Sequence, residues 1–398
     1  MKIGIITLFE ENYNYGAVLQ AFALESYCKS LGHECDVIRY KHVPESAKKN
    51  MWTRICRKCR TISSPGEFVW EVCNLFVKKQ LKALEKESEI GRQEKFREFI
   101  QERVTCSAKT YTGDSVSQVN DLYEAFICGS DQIWKPECYT DTYFLKFATP
   151  EKRRVAYAPS IAVERLSPEE MCYMRPLIEN LDAVSVREEQ GAELLKAVTG
   201  NLYPIVVDPV LLMPKEFWAK IKSKEIVVKE PFYFCYFLSP NYEAMKKIHK
   251  IAVKQRKKVV CISSVAGSHL YLNKFTDIFV DSAGPAEFIR LISDAEMIYT
   301  DSFHGTVFSL IFEKPFWVFD RIVGDKSASM NSRIDTLLKM YGAEKRKVGC
   351  KDALCNCIQE KVNEVYDQRN AKKRIDLSRS YIESALRTDM VHGGNNAG

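Results

Sequence analysis

The chain has 398 residues, of which 46% are hydrophobic, so it is long enough for two globular domains with ordinary cores. Its 58 basic and 52 acidic residues leave a net charge of only +6. This balance argues against a nucleic-acid partner and fits a site that attracts an anion. No run of about 18 apolar residues predicts a transmembrane helix, and the apolar start at residues 3–8 is too short for a signal peptide. We therefore expect a cytoplasmic protein.

Fourteen cysteines raise the question of a metal site or of disulfides. Cys56 and Cys59 have the spacing of two zinc ligands, and a looser group lies at 350–357. Neither has a partner pair at the spacing of a zinc finger or a zinc ribbon. Most of the other cysteines lie in apolar runs, where a reduced cysteine behaves as a small hydrophobic residue. We therefore expect no metal site, and no disulfides in a chain without a secretion signal.

The N-terminal part alternates short β-branched runs with helical patterns. Residues 2–8 predict a strand, residues 17–31 predict a helix that ends before Gly32, and residues 35–40 predict the next strand. Residues 43 to about 104 are rich in Lys, Arg and Glu and predict a helical insertion. A solvated helix face explains this charge, and contact with the inner face of a membrane or with a lipid-linked acceptor is the alternative.

Strand patterns resume after the insertion, and a second series begins near residue 232. The further strands are predicted at 125–128, 154–158, 183–186, 205–207, 232–238, 258–262, 277–280, 297–300 and 315–319. Strands that alternate with helices predict an α/β fold of two consecutive, doubly wound, Rossmann-like domains. The predicted boundaries are 1–208 for the N-terminal domain, 209–230 for a linker, 231–372 for the C-terminal domain, and 373–398 for a terminal helix and flexible tail.

The loop from Thr300 to Thr306 is the most informative candidate site, because ligands bind outside the carboxyl ends of strands in open parallel sheets. His304 lies there at a predicted helix start, where free N–H groups favour an anion. A histidine at such a position can transfer a proton near neutral pH. The alternative is that Asp301 or Ser302 caps the helix and that His304 is packed.

Other strand-end loops supply the remaining candidates: Asn14, Tyr15 and Gly16; Gly129, Ser130, Asp131 and Gln132; Ser160; and Arg187. The first set opens a helix whose start can take a phosphate, although a plain turn explains it equally well. The second set brings a carboxylate and an amide to a turn, for which a helix cap with Trp134 in the core is the alternative. Arg187 suits a carboxylate or a phosphate, or else pairs with a neighbouring glutamate. Asp208 and Pro209 are interpreted as a structural turn.

Several of these segments stand in an order that identifies a family. They are Asn14-Tyr15-Gly16-Ala17, Cys128 to Trp134, Tyr157 to Ser160, Ser185 to Glu188, Val207 to Leu212, Thr300 to Gly305 and Asn331 to Ile334. Together they resemble the polysaccharide pyruvyl transferase family over roughly residues 1–345. The resemblance implies two Rossmann-like domains in a GT-B-like arrangement with a cleft between them. It also implies transfer of the enolpyruvyl part of phosphoenolpyruvate to a sugar, as a pyruvate ketal, without a cofactor.

Carried over by position, the resemblance gives the candidates their roles. His304 would be the general acid that protonates the methylene carbon of the donor, Arg187 would hold the donor's carboxylate or phosphate, and Asp131 is the candidate acceptor base. Many members carry an arginine two residues before this histidine, where this chain has Ser302, so Arg333 or Arg321 becomes the candidate for that anion contact. The residues expected to bind the substrates are Asn14, Tyr15, Gly16, Gly129, Ser130, Gln132, Ser160, Asp301, Ser302, Gly305, Thr306 and Arg333.

Two other functions stay open at this stage. A glycosyltransferase that uses a nucleotide sugar would want an acidic residue for the ribose at the end of a C-terminal strand, and residues 239–240 and 263–264 do not provide one. A non-catalytic sugar- or anion-binding relative is favoured by Ser302. We expect a transferase that acts on a cell-surface polysaccharide or its precursor, as in exopolysaccharide biosynthesis.

Overall fold

The structure is a computed structural model of the chain. It describes residues 1–42, 89–136, 138, 140–239, 241–263, 274–321, 327–349 and 366–387, without the side chains of 327–330. The predictions for Cys56, Cys59, the group at 350–357, most of the helical insertion and the terminal tail lie outside the described residues.

Two parallel sheets form the scaffold. The first contains β1 (Lys2–Ile6), β2 (Glu34–Tyr40), β3 (Cys106–Tyr111), β4 (Ala125–Cys128), β5 (Arg153–Ala156) and β6 (Ala183–Val184). The second contains β7 (Phe232–Tyr236), β8 (Lys258–Ile262), β9 (Ile278–Val280), β10 (Met297–Thr300), β11 (Phe316–Phe319) and β12 (Lys347–Val348). Their orders are β3-β2-β1-β4-β5-β6 and β12-β11-β10-β7-β8-β9. Counted from the first strand of each sheet, both have the doubly wound order 3-2-1-4-5-6, which confirms two Rossmann-like domains.

Helices cover these sheets. They are α1 (Tyr15–Ser30), α2 (89–103), α3 (Pro168–Glu179), α4 (Glu189–Thr199), α5 (Lys215–Ile221), α6 (Tyr242–Lys254), α7 (Pro285–Asp294), α8 (Phe303–Ile311), α9 (Ser327–Tyr341) and α10 (Gln368–Leu386). None of the helices in the described ranges is long and apolar enough to cross a membrane.

The structure differs from the predicted elements at one predicted strand and at several elements that were not predicted. The predicted strand at 205–207 is reduced to one bridge, between Val186 and Ile205. The edge strands β3 and β12 and the helices α3, α5 and α9 were not predicted. An edge strand such as β3 exposes most of its side chains, so its sequence lacks the apolar run that marks a buried strand.

Helix α1 lies between the two domains, which explains why it is apolar on all sides. The ring of Tyr15 stacks on Phe288 of the C-terminal domain, with 4.7 Å between the ring centroids. Its hydroxyl donates a hydrogen bond to the carbonyl oxygen of Ala283 at 2.8 Å. Tyr15, which the sequence placed among the substrate contacts, is therefore fully buried and joins the domains.

The C-terminal helix α10 returns to the first domain. Arg153 donates a hydrogen bond to the carbonyl oxygen of Ala385 at 2.8 Å. The hydroxyl of Ser378 accepts a hydrogen bond from the backbone N–H of Val207 at 2.9 Å. Thus α10 fixes the segment that leads from the first sheet to Asp208.

We expect Tyr15→Phe to lower the free energy of unfolding by about 1–2 kcal/mol, because the buried carbonyl of Ala283 loses its hydrogen-bond donor. Tyr13→Phe is the matched control, since the Tyr13 hydroxyl bonds to Arg97 at the surface. Urea unfolding of both variants measures the difference. Equal losses in the two would contradict the role of Tyr15 at the domain interface.

Candidate active site

The start of α8 is built by short-range hydrogen bonds. The hydroxyl of Ser302 caps the helix by accepting from the N–H of Gly305 at 3.3 Å, and Thr300 Oγ1 accepts from the N–H of Ser302 at 3.0 Å. A Cβ at Gly305 would lie only 2.6 Å from Thr300 Oγ1, so only glycine lets the helix start this close to β10. The cap predicted at Asp301 or Ser302 is therefore Ser302, and it places His304 in the first turn.

Asp301 does not cap α8 but binds the loop after β7. Its two carboxylate oxygens accept hydrogen bonds from the backbone N–H groups of Leu238 at 2.6 Å and Ser239 at 2.9 Å. Burial raises the pKa of this carboxyl group, and the two N–H donors partly offset that effect. Asp301 thus ties the loop after β10 to the loop after β7.

The imidazole ring of His304 lies between the two domains. On one side, a Cβ at Gly16 would overlap the ring, with Nδ1 as the nearest atom. On another side, Nε2 lies 3.5 Å from Asp208 Oδ2. The absence of a side chain at Gly16 therefore makes room for the histidine at the start of α1.

Arg187 and Asp208 form a buried ion pair beneath His304. Arg187 Nη1 donates to Asp208 Oδ2 at 2.7 Å, while the nearest oxygens of Glu188 and Asp131 are 3.8 Å and 3.9 Å from the guanidinium. Arg187 therefore hydrogen bonds to Asp208 and makes a longer ionic contact with the neighbouring Glu188. Burial alone would raise the pKa of Asp208, but His304 and Arg187 hold it well below its usual value. Burial opposes the charge of Arg187, yet these carboxylates outweigh it and raise its pKa.

Arg333 is a second buried cation in the same place. Burial, and then the charge of Arg187, lower the pKa of Arg333 to about 10. The amide oxygen of Gln132, oriented toward the guanidinium, accepts from Nη1 at 2.8 Å and from Nη2 at 3.0 Å. The guanidinium groups of Arg187 and Arg333 both lie over the ring of Phe303, at 4.8 Å and 5.7 Å from its centroid. The positive charge of Arg333 is only partly compensated by the protein.

A pocket of about 220 Å³ opens between the domains at these residues. The N-terminal domain contributes Asn12, Asn14, Asp131, Gln132, Lys135 and Cys138, and the C-terminal domain contributes Asp301, Ser302, Phe303, His304, Arg321 and Arg333. Arg321 is fixed by a hydrogen bond from Nε to Ser239 Oγ at 3.1 Å. The pocket thus brings together His304, Asp131 and both arginines proposed to replace the one missing at position 302.

Several predicted contact residues lie deeper than the pocket surface, and their hydroxyl groups already have partners. Ser160 donates to Glu188 Oε1 at 2.8 Å, Ser130 to the carbonyl of Ala158 at 2.8 Å, and Thr306 to the carbonyl of Ser302 at 3.0 Å. Gly129 sits against the backbone of Tyr157 with a φ of +117°, which requires glycine. The structure therefore places five of the predicted contact residues behind the pocket lining, where they stabilise its loops: Gly129, Ser130, Ser160, Gly305 and Thr306.

Sequence reasoning did not name Asn12 or Lys135 as contacts, and it missed the ion pair of Asp208 with Arg187. Asn12 belongs to the strand-end loop that ends at Gly16, whereas Lys135 stands just beyond the candidate loop 129–132 and would have been found with a slightly longer loop. Trp134, for which a core position was the alternative, is fully buried and stacks on Phe144. Within the part of the chain that the structure describes, no group of His, Cys, Asp and Glu could hold a metal ion.

Comparison with known proteins gives one broad match and several distant ones. A model of the polysaccharide pyruvyl transferase family matches residues 14–321. No curated protein is significantly similar in sequence. Among solved structures, the UDP-GlcNAc 2-epimerase of Methanocaldococcus jannaschii has 12% identity and a TM-score of 0.49, covering 96% of this chain and 100% of that one.

Two transferases are similar at the same distant level. An E. coli heptosyltransferase with ADP-2-deoxy-2-fluoro heptose has 11% identity and a TM-score of 0.37, covering 85% of this chain and 99% of that one. A Streptomyces sp. SF2575 glycosyltransferase complexed with thymidine diphosphate has 13% identity and a TM-score of 0.40, covering 96% of each chain. The family match is the finding that bears on function.

Gly16→Ala tests the packing of the histidine on α1. Alanine favours a helix over glycine by about 1 kcal/mol, so an unhindered site would gain stability. Here the new Cβ overlaps His304, and we expect a net loss of about 1–3 kcal/mol. Thermal unfolding measures this loss of stability. Gly191→Ala in α4 is the control, because a Cβ at Gly191 would lie 3.4 Å from its nearest neighbouring atom, an ordinary van der Waals distance. A more stable Gly16→Ala variant would refute the contact.

Proposed function

The chain belongs to the polysaccharide pyruvyl transferase family, which makes it a transferase. We propose that it transfers the enolpyruvyl group of phosphoenolpyruvate to a sugar of a cell-surface polysaccharide or of its precursor and forms a pyruvate ketal. One observation carries this proposal: His304, Arg321 and Arg333 line a single pocket between the domains. A proton donor and two anion-binding groups at one place match the chemistry of a donor that carries two anionic groups.

The charges of the pocket favour an anionic donor. Arg333 is buried, and its charge is disfavoured by desolvation and by Arg187. A carboxylate or phosphate bound there would relieve this penalty through charge-assisted, bidentate hydrogen bonds. Arg321 lies on the same pocket wall and can take the second anionic group. These two side chains compensate for Ser302, whose hydroxyl is used to cap α8.

The proposed reaction begins with proton transfer from His304 to the methylene carbon of phosphoenolpyruvate. A C–H bond forms, the methylene becomes a methyl group, and C2 becomes electrophilic. One sugar hydroxyl attacks C2, the bond from C2 to the phosphate oxygen breaks, and a second hydroxyl of the same sugar closes the ketal. Of the two hydroxyl protons, one restores His304 and the other leaves with phosphate. General acid catalysis of this kind contributes about 10²- to 10⁴-fold to a rate.

The acceptor is proposed to lie against the N-terminal wall of the pocket. Asp131 lies on that wall with a φ of +63°, a left-handed conformation that Asp adopts more readily than most other non-glycine residues. We propose that it accepts the proton of the attacking hydroxyl and passes it to the departing phosphate, while the proton of the second hydroxyl restores His304. The amides of Asn12 and Asn14 on the same wall can hydrogen bond to further sugar hydroxyls.

His304→Gln is expected to lower acceptor-dependent release of phosphate from phosphoenolpyruvate by about 100-fold or more, because glutamine cannot donate the proton. A panel of glycosides is offered as acceptors, and phosphate is measured with and without each one. His249→Gln is the matched control, since His249 lies on α6 outside the pocket lining, and it should keep full activity.

Two outcomes would contradict the proposed function. One is the absence of phosphate release with any acceptor alongside turnover of a nucleotide sugar. The other is an unchanged rate in the His304→Gln variant, which would remove the histidine from the chemistry.

Arg333→Gln is expected to raise the KM for phosphoenolpyruvate about tenfold or more, because a charge-assisted hydrogen bond contributes about 1.5–3 kcal/mol. Steady-state kinetics at a saturating acceptor concentration measure the change. Arg175→Gln, on the exposed face of α3, should leave the KM unchanged. An unaltered KM in Arg333→Gln would show that the donor binds elsewhere.

A further inference from the structure

Asp208 uses both of its carboxylate oxygens. Oδ1 accepts a hydrogen bond from the N–H of Val210 at 3.0 Å, which starts the 3-10 helix Pro209–Leu212, as a structural turn requires. Oδ2 accepts from Arg187 Nη1 at 2.7 Å and is directed at His304 Nε2, 3.5 Å away. The first contact explains the Asp-Pro pattern of the sequence, whereas the second has no bearing on a turn.

Access to the ring of His304 is restricted on the side of Nε2. This nitrogen is buried and makes no hydrogen bond, and Asp208 Oδ2 is 3.5 Å from it, slightly beyond an ordinary hydrogen-bond length. Such contacts between catalytic groups are often long before substrate binds and tighten afterwards. Gly16 packs on the ring closest to Nδ1, and Phe303 meets the ring edge-on, so the imidazole cannot turn freely to exchange its two nitrogens, although the residue still lines the pocket.

From this geometry we infer that Asp208 is a positioning residue: it accepts the Nε2–H of His304, and Nδ1 is therefore the nitrogen that delivers the proton. The inference rests on the proposed function for what the proton does, but the orientation of the ring follows from the structure alone. It assigns a second role to a residue that the sequence indicates only as a turn.

The ion pair with Arg187 explains why the orientation would be fixed. An ionised carboxylate can accept hydrogen bonds but cannot donate them, so it is satisfied only by a ring nitrogen that carries a hydrogen. Arg187, together with His304, keeps the pKa of Asp208 low despite full burial. When Nδ1–H breaks and the C–H bond of the donor forms, the hydrogen on Nε2 stays in place. Nδ1 then accepts the proton that returns from the sugar hydroxyl.

Hydrogen bonds from a carboxylate to a histidine are a general means of fixing the tautomer of the ring. Loss of such a carboxylate leaves substrate binding largely intact and lowers the rate of proton transfer. We therefore expect Asp208→Asn to reduce kcat about 100-fold or more and to change the KM for phosphoenolpyruvate by less than about threefold. Asp182→Asn is the matched control, because it breaks another Asp–Arg pair, with Arg154, at the start of β6 and so at the opposite end of that strand from the site.

The tautomer is measured directly on the wild-type protein with ¹⁵N-labelled histidine, by two-bond ¹H–¹⁵N correlation NMR at a pH where the ring is neutral. The signal of His304 is identified by its loss in His304→Gln. The inference predicts a hydrogen on Nε2 and an unprotonated Nδ1. In Asp208→Asn we expect a mixture of tautomers, because an amide can donate or accept.

The outcomes separate this inference from the proposed function. A wild-type ring with its hydrogen on Nδ1 would overturn the inference even if phosphoenolpyruvate is turned over. An Nε2–H tautomer in a protein that releases no phosphate would uphold the orientation and refute the proposed function. Because the wild-type spectrum decides the tautomer, the test does not depend on the stability of the Asp208→Asn variant.

Discussion

The contact between His304 and Gly16 is the constraint on which the site depends. The histidine belongs to the C-terminal domain and the glycine to the N-terminal domain, so the ring can occupy its position only while the domains are held together. Tyr15, next to Gly16, stacks on Phe288 and bonds to Ala283 across the same interface. The start of α1 therefore holds the two domains together and also makes room for the ring of His304, which explains why so many of its residues are buried.

The buried arginines at this interface favour an anionic ligand. Arg187 forms an ion pair with Asp208, whereas in the part of the chain that the structure describes the hydrogen-bond partner of Arg333 is the neutral amide of Gln132. Glu188 and Asp131 only partly offset the cost of burying the charge of Arg333, and an anionic ligand can lower that cost on binding. The absence of an arginine at position 302 is thus compatible with binding of an anion, because Arg321 and Arg333 reach the pocket from other segments.

The fold could be predicted because each sheet is built from apolar runs that alternate with helical patterns, and both sheets have the order expected for doubly wound domains. The strand-end rule placed Asp131, Gln132, Ser302 and His304 at one pocket. The same rule could not distinguish residues that line the pocket from residues that stabilise the loops behind it. Ser160 and Thr306 have the same local pattern, but their hydroxyls donate hydrogen bonds to Glu188 and to the carbonyl of Ser302. Asp208 was predicted as a turn because its role toward His304 depends on contacts between residues nearly 100 positions apart, which no local pattern encodes.

Isotope labelling of the product tests whether this pocket protonates an enolpyruvyl donor. The enzyme is incubated with phosphoenolpyruvate and an accepted sugar in D₂O, and the pyruvylated product is analysed by NMR and mass spectrometry. We expect one deuterium in the methyl group of the ketal, because a solvent-exchanged proton of His304 is transferred to the methylene carbon. A product whose methyl group carries no deuterium, or a transferred group that is not pyruvyl, would contradict it.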